Sequence, residues 1–178
     1  MPDHQLLPTP RVPEDEPYRI GVVCLGNICR SPIAAVVLRD RIAKAGLADL
    51  VEVDSSGTGD WHVGGPMDRR AAAVLAGSGY DGSAHRAQQF APRWFGDHDL
   101  LLVMDDANLR VVHDLAPDDR AAQRVRMFRA FDPRAVDGDR EVPDPYYGGD
   151  DGFARVLDII ERTADELAKR LQEQLRPS

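Results

Sequence analysis

The stretch R-I-G-V-V-C-L-G-N-I-C-R-S, residues 19–31, decides the fold of this chain. Its first part, residues 19–25, is apolar and β-branched without alternation, as expected of a central parallel strand covered on both faces. A short glycine-containing loop follows. Ser31 then offers an N-cap oxygen, Pro32 suits the first helical position, and the helical pattern continues to a stop at Gly46. The stretch therefore predicts a buried strand, a short loop and a helix in direct succession.

The rest of the chain repeats this alternation of strands and helices. The last helical pattern carries an apolar stripe from Phe153 to Leu171, so we expect it to pack on the sheet. We predict one α/β domain of three layers, with a parallel sheet of about four strands, helices on both faces, and a phosphate loop between strand 1 and helix 1. Further strands are predicted at residues 51–54, 99–104 and 124–128, and further helices at residues 68–77, 106–115 and 151–175.

Length and composition indicate a single domain. The 178 residues are 43% hydrophobic, which suffices for one sizeable core. Residues 1–17 hold five prolines and several acids, but no basic start followed by an apolar run. We therefore predict a disordered leader there and not a secretory signal. The folded domain is accordingly predicted to span residues 18–178.

Charge and cysteine content indicate which macromolecules the protein binds and in which compartment it resides. The net charge of -8 argues against general affinity for nucleic acid or anionic lipid, and no apolar stretch approaches the roughly 20 residues of a membrane helix. Two cysteines, Cys24 and Cys29, cannot make a disulfide framework. We expect a cytoplasmic monomer that binds neither nucleic acid nor membrane, with export by a signal-free route left open.

The loop at residues 24–31 has the composition of an anion site. Between a strand and a helix start, several backbone N–H groups lack partners and lie near the positive end of the helix dipole. Gly26 and Asn27 tolerate left-handed backbone angles, so the chain can turn these amides toward one tetrahedral oxyanion. The amides favour a thiolate at Cys24, and Arg30 can place a planar fork on two phosphoryl oxygens. The pattern predicts a loop that binds and attacks phosphate.

Each of these features alone has an ordinary explanation. A lone cysteine near a strand end is more often a small buried hydrophobe, and glycine-containing strand-to-helix turns are common. The combination of cysteine, five residues, arginine and serine in this frame is more specific. A nucleotide-binding loop is excluded because no G-K-[ST] follows the glycine and no G-x-G-x-x-G fingerprint lies at this turn.

The runs C-L-G-N-I-C-R-S-P-I-A at residues 24–34 and D-P-Y-Y-G-G at residues 144–149 resemble the low-molecular-weight protein tyrosine phosphatases. The resemblance extends over residues 18–175 and is strongest to bacterial, in particular actinobacterial, members. It implies a metal-independent phosphatase without a cofactor, which hydrolyses phosphotyrosine and small aryl phosphates through a phosphocysteine on Cys24, with Arg30 binding the phosphate. The other matching motifs are D-S-S-G-T-G-D-W-H-V-G, A-H-R-A and M-D-D-A-N-L.

This chemistry needs an acid for the departing phenolate and then a base for the attacking water, and one carboxyl group can serve as both. Asp144 differs from the other acids because prolines flank it and Tyr146 and Tyr147 follow. The resemblance assigns Asp144 this role of general acid and base. The other acids considered, each of which could be a turn residue or a solvated charge, are Asp105, Asp106, Asp137, Asp139, Asp150 and Asp151.

The resemblance also assigns the walls of the cleft. Trp61 would face Tyr146 and Tyr147, so that a phenyl phosphate slots between the rings. The alternative is that Trp61 or Tyr147 packs in the core. The loop residues expected to contact substrate are Leu25, Gly26, Asn27, Ile28, Cys29 and Ser31.

Supports of the loop are implied in the same way. Asn27, Ser31, Ser55 and His85 match family positions that hold the phosphate loop by hydrogen bonds, and the Ser31 hydroxyl would also steady the thiolate. The alternatives are a surface histidine for His85 and a simple N-cap for Ser31. Cys29 could be an inert thiol, a weak contributor to the loop or, as we favour, a partner that traps the oxidised nucleophile as a disulfide.

Three other functions are compatible with parts of this sequence pattern. A thioredoxin-coupled arsenate reductase needs additional cysteines, which this chain lacks. Phosphoarginine phosphatases share the loop and are separated only by the tyrosine pair and the D-P-Y-Y motif. A noncatalytic binder of phosphorylated partners would have no use for Asp144.

Partners and metals complete the sequence-based expectations. The resemblance implies a phosphotyrosine-bearing protein substrate and a tyrosine kinase that acts on Tyr146 or Tyr147. No metal site is predicted, because the five histidines show no paired ligand spacing.

Overall fold

A computed structural model describes residues 7–12, 15–136 and 138–176. In chain order the elements are β1 (Tyr18–Cys24), α1 (Arg30–Lys44), β2 (Val51–Gly57), α2 (Arg69–Gly77), α3 (Trp94–Asp97), β3 (Leu100–Val103), α4 (Asp106–Leu115), α5 (Asp119–Ala122), β4 (Val125–Met127), a 3₁₀ turn (Phe128–Phe131) and α6 (Asp150–Leu175).

The four strands form one parallel sheet in the order β2-β1-β3-β4. β1 lies inside the sheet because it is apolar on both faces: Ile20 and Val22 are buried in one core and Val23 in the other. The predicted sheet of four parallel strands with helices is thereby confirmed. All parallel strands end at the same edge, so Cys24 at the end of β1 lies where α/β proteins bind ligands.

Two cores separate the three layers. Residues of α1, α2 and α6 share one core with the sheet, and residues of α3 and α4 share the other. The predicted apolar stripe of α6 is buried along its length, and α6 lies beside α1 and α2. Within the described residues, no helix has both the length and the apolar content to cross a bilayer.

The start of α1 differs from the expectation. The helix begins at Arg30, with Cys29 in the N-cap position and no side-chain cap, and its first intrahelical bond runs from the Ile33 amide to the Cys29 carbonyl. Ser31 is therefore not the N-cap, and that alternative was wrong. The physical reason is that Ser31 is buried and its hydroxyl is bonded within the loop instead.

Part of the predicted disordered leader lies against the amino-terminal end of the sheet. Leu7 is buried in the core, and the Tyr18 hydroxyl donates to the carbonyl of Pro8 at 2.8 Å. The Arg11 amide donates to the buried Asp99 carboxylate at 2.6 Å. Residues 7–12 thus show contacts where disorder was expected, because an apolar side chain and a cation meet matching groups on the domain. Disorder stays a prediction for the leader residues outside the described ranges: 1–6, 13 and 14.

Candidate active site

The backbone amides of the loop between β1 and α1 have no hydrogen-bond acceptors among the described residues. The carbonyls of Cys24, Leu25 and Ile28 each accept a backbone amide from a neighbouring segment at 2.9 Å. By contrast, none of the amides of residues 25–30 donates to an acceptor in the part of the chain that the structure describes. With carbonyls bound from outside and amides free, the loop offers a set of donors to an anion.

Asn27 holds the loop in this shape. Its backbone is left-handed, with φ of 56°, a conformation that asparagine tolerates better than most residues. Its side-chain amide nitrogen donates to Ser31 Oγ at 2.8 Å and Ser55 Oγ at 2.9 Å, and its amide oxygen accepts the backbone amide of Gln88 at 2.9 Å. The structure thereby brings three of the predicted supporting side chains together.

His85, the fourth predicted support, binds the same residue. Its Nε2 lies 2.7 Å from the Asn27 carbonyl, so Nε2 carries the proton and donates. Burial lowers the pKa of His85, the Arg39 and Arg86 guanidinium groups lower it further, and the bond to Asn27 opposes them. His85 is thus half-buried and partnered, and not a free surface histidine.

Gly57 permits the end of β2 to approach this loop. A Cβ atom at this position would lie 2.7 Å from the Leu25 carbonyl oxygen and 2.9 Å from the Asn27 nitrogen. Any side chain would therefore push the loop away from β2. Sequence reasoning missed this role, since the G of D-S-S-G-T-G carries no sign of the segment it will touch.

The two cysteines of the loop have different surroundings. Both are buried and free. Cys24 Sγ lies 2.9 Å from Ser31 Oγ, which also lies 3.3 Å from the Ser56 carbonyl oxygen. For Cys29, burial raises the pKa, with the charges of Asp68 and Cys24 adding to the effect, so its sulfur stays a thiol.

Arg30 is held between two carboxylates. Its side chain is only 3% exposed, and Nη1 lies 2.7 Å from Asp105 Oδ2 and 3.0 Å from the Val142 carbonyl oxygen, while Nη2 lies 3.5 Å from Asp144 Oδ2. Burial alone would lower the pKa of Arg30, but Cys24 and the two carboxylates outweigh it and raise that pKa. The guanidinium is therefore a fixed cation beside Cys24.

Asp105 has a role that the sequence did not assign. It was considered only as one candidate acid among several, yet it orients Arg30 and also caps α4 by accepting the Asn108 amide at 2.8 Å. An acid directly before a helix is a signal for the cap. Nothing in the sequence signals its bond to Arg30.

Arg70 fixes the segment that carries Asp144. Its Nη2 donates to the Tyr146 carbonyl at 3.0 Å, and its guanidinium lies 5.4 Å from the Tyr146 ring centre. Asp68 Oδ2 lies 3.2 Å from the same Nη2. Asp144 Oδ1 in turn accepts the Tyr146 amide at 3.0 Å. Sequence reasoning did not identify Arg70, which connects α2 to the segment of residues 144–146.

Three further candidate acids that the structure describes, Asp106, Asp139 and Asp151, do not line a cavity with Cys24. Asp139 pairs with Arg129 at 3.1 Å, while Asp106 and Asp151 are exposed. Asp137 lies outside the described residues, as does the side chain of Asp150.

Most of the predicted site residues line one cavity of about 250 Å³. Trp61 and Tyr147 are 69% and 87% exposed at its rim, which rules out the alternative that either packs in the core. His62, which was not predicted, also lines it. Asn27 and Ser31 do not, because their side chains are buried beneath the loop. The predicted residues that line the cavity are Cys24, Leu25, Gly26, Ile28, Cys29, Arg30, Trp61, Asp144, Tyr146 and Tyr147.

A metal site would need at least three suitable ligands close together. In residues 7–12, 15–136 and 138–176, no three His, Cys, Asp or Glu side chains are grouped in this way. The cavity offers instead two cysteine side chains, a guanidinium, a carboxyl group and free amides.

The sequence matches a family of known phosphatases. The family model described as low molecular weight phosphotyrosine protein phosphatase matches residues 19–177. A low molecular weight protein-tyrosine-phosphatase of Streptomyces coelicolor is 49% identical over 158 residues, which cover 89% of this chain and 96% of the relative.

Solved structures agree with the sequence comparisons. A protein tyrosine phosphatase from Entamoeba histolytica superposes with a TM-score of 0.83 at 34% identity, covering 88% of this chain and 98% of the other. YfkJ from Bacillus subtilis superposes with a TM-score of 0.82 at 29% identity, covering 91% and 99%.

Proposed function

Because the chain belongs to the low molecular weight phosphotyrosine protein phosphatase family, and is thus a cysteine-based, metal-independent protein tyrosine phosphatase, we propose a specific mechanism for its own residues. Residues 18–178 form the catalytic domain in this proposal. Cys24 is the nucleophile, Arg30 binds phosphate, and Asp144 transfers protons. The observation that most supports this is the single cavity that Cys24, Arg30 and Asp144 line, beside a loop with free amides.

The first step is attack by the Cys24 thiolate on phosphorus. A sulfur–phosphorus bond forms while the bond from phosphorus to the tyrosine oxygen breaks. The amides of residues 25–30 and the Arg30 guanidinium bind the nonbridging oxygens and stabilise the charge of the transition state. Asp144 supplies a proton to the departing oxygen, so that neutral tyrosine leaves.

In the second step, Asp144 acts as a base and Cys24 is the leaving group. The Asp144 carboxylate takes a proton from water, the water oxygen bonds to phosphorus, and Cys24 departs as a thiolate with release of inorganic phosphate. The Ser31 hydroxyl has one proton and two nearby acceptors, Cys24 Sγ at 2.9 Å and the Ser56 carbonyl at 3.3 Å. When Cys24 carries the charge, Ser31 donates to sulfur, which makes the thiolate a better leaving group.

The exposed rings of Trp61 and Tyr147 support an aryl ester as substrate, since they offer apolar walls at the mouth of the cavity. The same exposure makes Tyr147 accessible to a tyrosine kinase, and Tyr146 is partly accessible as well. Phosphorylation there belongs to the proposal. A monomeric state and a cytoplasmic setting also belong to the proposal, and the two free cysteines support the cytoplasmic setting.

The test is hydrolysis in the presence of a chelator. We would compare a phosphotyrosine peptide, a small aryl phosphate and a phosphoarginine peptide, using wild type and Cys24→Ser, and trap the intermediate by rapid quench and mass spectrometry. We expect turnover of both aryl esters by wild type only, with one phosphoryl group on the peptide that contains Cys24. Hydrolysis of phosphoarginine alone would refute the assignment of phosphotyrosine as the substrate. Phosphate binding without turnover of any substrate would refute the assignment of catalytic activity.

A further inference from the structure

We propose that a groove beside the catalytic cleft binds the polypeptide that flanks the phosphotyrosine of the substrate. An apolar side chain of that polypeptide would pack on Trp61, Val63 and Pro66, and an acidic side chain would pair with Arg69. This inference rests on the proposed function and names its substrate class: extended protein segments in which phosphotyrosine has apolar and acidic neighbours.

The groove is continuous with the cleft. It is an open depression of about 520 Å³ that shares Ile28, Trp61, His62 and Tyr146 with the catalytic cavity. The cavity of about 250 Å³ has room for the phenyl phosphate itself. A small aryl phosphate therefore does not contact the rest of the groove. A polypeptide that continues from the tyrosine must instead leave the cleft across its rim.

Exposed apolar side chains are concentrated in this region. Among the described residues, eight large hydrophobic side chains are exposed, and five of them line the cleft or the groove: Leu25, Trp61, Val63, Tyr146 and Tyr147. Val63, which lines only the groove, is 59% exposed. Apolar surface gathered beside a site is typical of a binding surface, while scattered exposed residues are ordinary.

Arg69 supplies an available positive charge at the same groove. Its side chain is exposed and makes no hydrogen bond or ion pair within the part of the chain that the structure describes. Its neighbour Arg70 is instead bound to the Asp68 carboxylate and to the Tyr146 carbonyl. Because the Asp68 carboxylate is occupied by Arg70 and by amides of α2, it does not pair with Arg69. On a chain of net charge -8, this cation can select a carboxylate.

The experiment uses the full chain and paired phosphotyrosine peptides. In each pair, one position between three residues before and three residues after the phosphotyrosine carries Asp or Lys. We expect wild type to show a kcat/KM about threefold higher for Asp than for Lys at one or more positions, as a solvent-exposed ion pair supplies. Arg69→Glu should reverse this preference. Arg120→Glu is the matched control, since Arg120 is exposed, unpartnered among the described residues and at the opposite end of the sheet.

A second pair of peptides tests the apolar wall. Replacing a neighbouring Gly by Leu should raise kcat/KM for wild type and not for Val63→Ser. All variants should keep wild-type turnover of a small aryl phosphate, because that substrate does not reach the groove. The two proposals can therefore fail separately: a wild-type protein that does not hydrolyse the aryl phosphate would refute the proposed phosphatase mechanism and not the groove. If Arg69→Glu changes the Asp-to-Lys preference no more than Arg120→Glu does, the groove is not a substrate subsite.

Discussion

Replacing Arg11 by Met should destabilise the protein without changing catalysis. The Asp99 carboxylate is 1% exposed and accepts the amides of Arg11 and Arg19 at 2.6 and 2.7 Å. The Arg11 guanidinium supplies the positive charge, with Nε 3.2 Å from Asp99 Oδ1. Without it, a buried carboxylate keeps two amide donors but loses its partner cation.

The expected size of this effect follows from those contacts. Removing one partner of a buried ion pair costs about 3–5 kcal/mol when the other charge is left uncompensated. Here the amide donors remain and Arg124 binds the Asp99 carbonyl at 3.0 Å, so we expect a smaller loss of about 2 kcal/mol. With a urea dependence of about 2 kcal/mol per molar, the unfolding midpoint should fall by about 1 M.

Urea unfolding followed by circular dichroism measures this midpoint. Arg110→Met, a substitution of an exposed arginine, is the control and should leave it unchanged. Asp99→Asn added to Arg11→Met should restore part of the stability, because it removes the buried charge. Turnover of an aryl phosphate should not change, since Asp99 precedes β3 at the amino end of the sheet and Cys24 ends β1 at the other.

An Arg11→Met midpoint equal to that of Arg110→Met would refute the reasoning. It would mean that residues 7–12 are not held on Asp99 in solution, and that the sequence-based expectation of a disordered leader applies to them as well.

Three further predictions concern the site. Asp144→Asn should lower kcat/KM, which reports formation of the phosphocysteine and not its hydrolysis, by about 10²–10⁴-fold for a phosphotyrosine peptide. The loss of kcat/KM should be much smaller for an ester of a more acidic phenol, whose oxyanion leaves without a proton. Steady-state kinetics that show equal losses would contradict the acid role. Because burial lowers the pKa of His85, the unfolded chain binds more protons than the folded one below a pH of about 6.5, so stability should fall on acidification from that pH. His85→Gln should reduce this slope in urea midpoints measured from pH 7.5 to 5.5, and an unchanged slope would exclude His85 as its source. After peroxide treatment, wild type should recover more activity on reduction with a dithiol than Cys29→Ser does, if Cys29 traps the oxidised Cys24; equal recovery would leave Cys29 without a protective role.

Local patterns were sufficient for most of the fold. The apolar run in β1 predicts a buried parallel strand because only a strand covered on both faces needs apolar side chains in both directions. The stripe of α6 was equally clear, since a helix of 26 residues repeats its pattern many times. The helices α3 and α5 were not predicted, because four residues make a single turn and show no period.

The site was predictable only in part. Cys24, Arg30 and Ser31 lie within eight consecutive residues of the sequence, so their spacing indicates their chemistry. Ser31 shows the limit of such local reasoning, since its sequence position suggested a helix cap while the structure turns its hydroxyl to the sulfur of Cys24.

The sequence by itself determined the strand, loop and helix that create an anion site, because those preferences arise from neighbouring residues. Tertiary structure alone decided two of the contacts that hold that site in place: Asp105 reaches Arg30 across 75 residues of chain, and Arg70 reaches Tyr146 across 76. Such pairs form when separate elements pack at one edge of the sheet. Their geometry depends on the whole fold, and no local pattern records it.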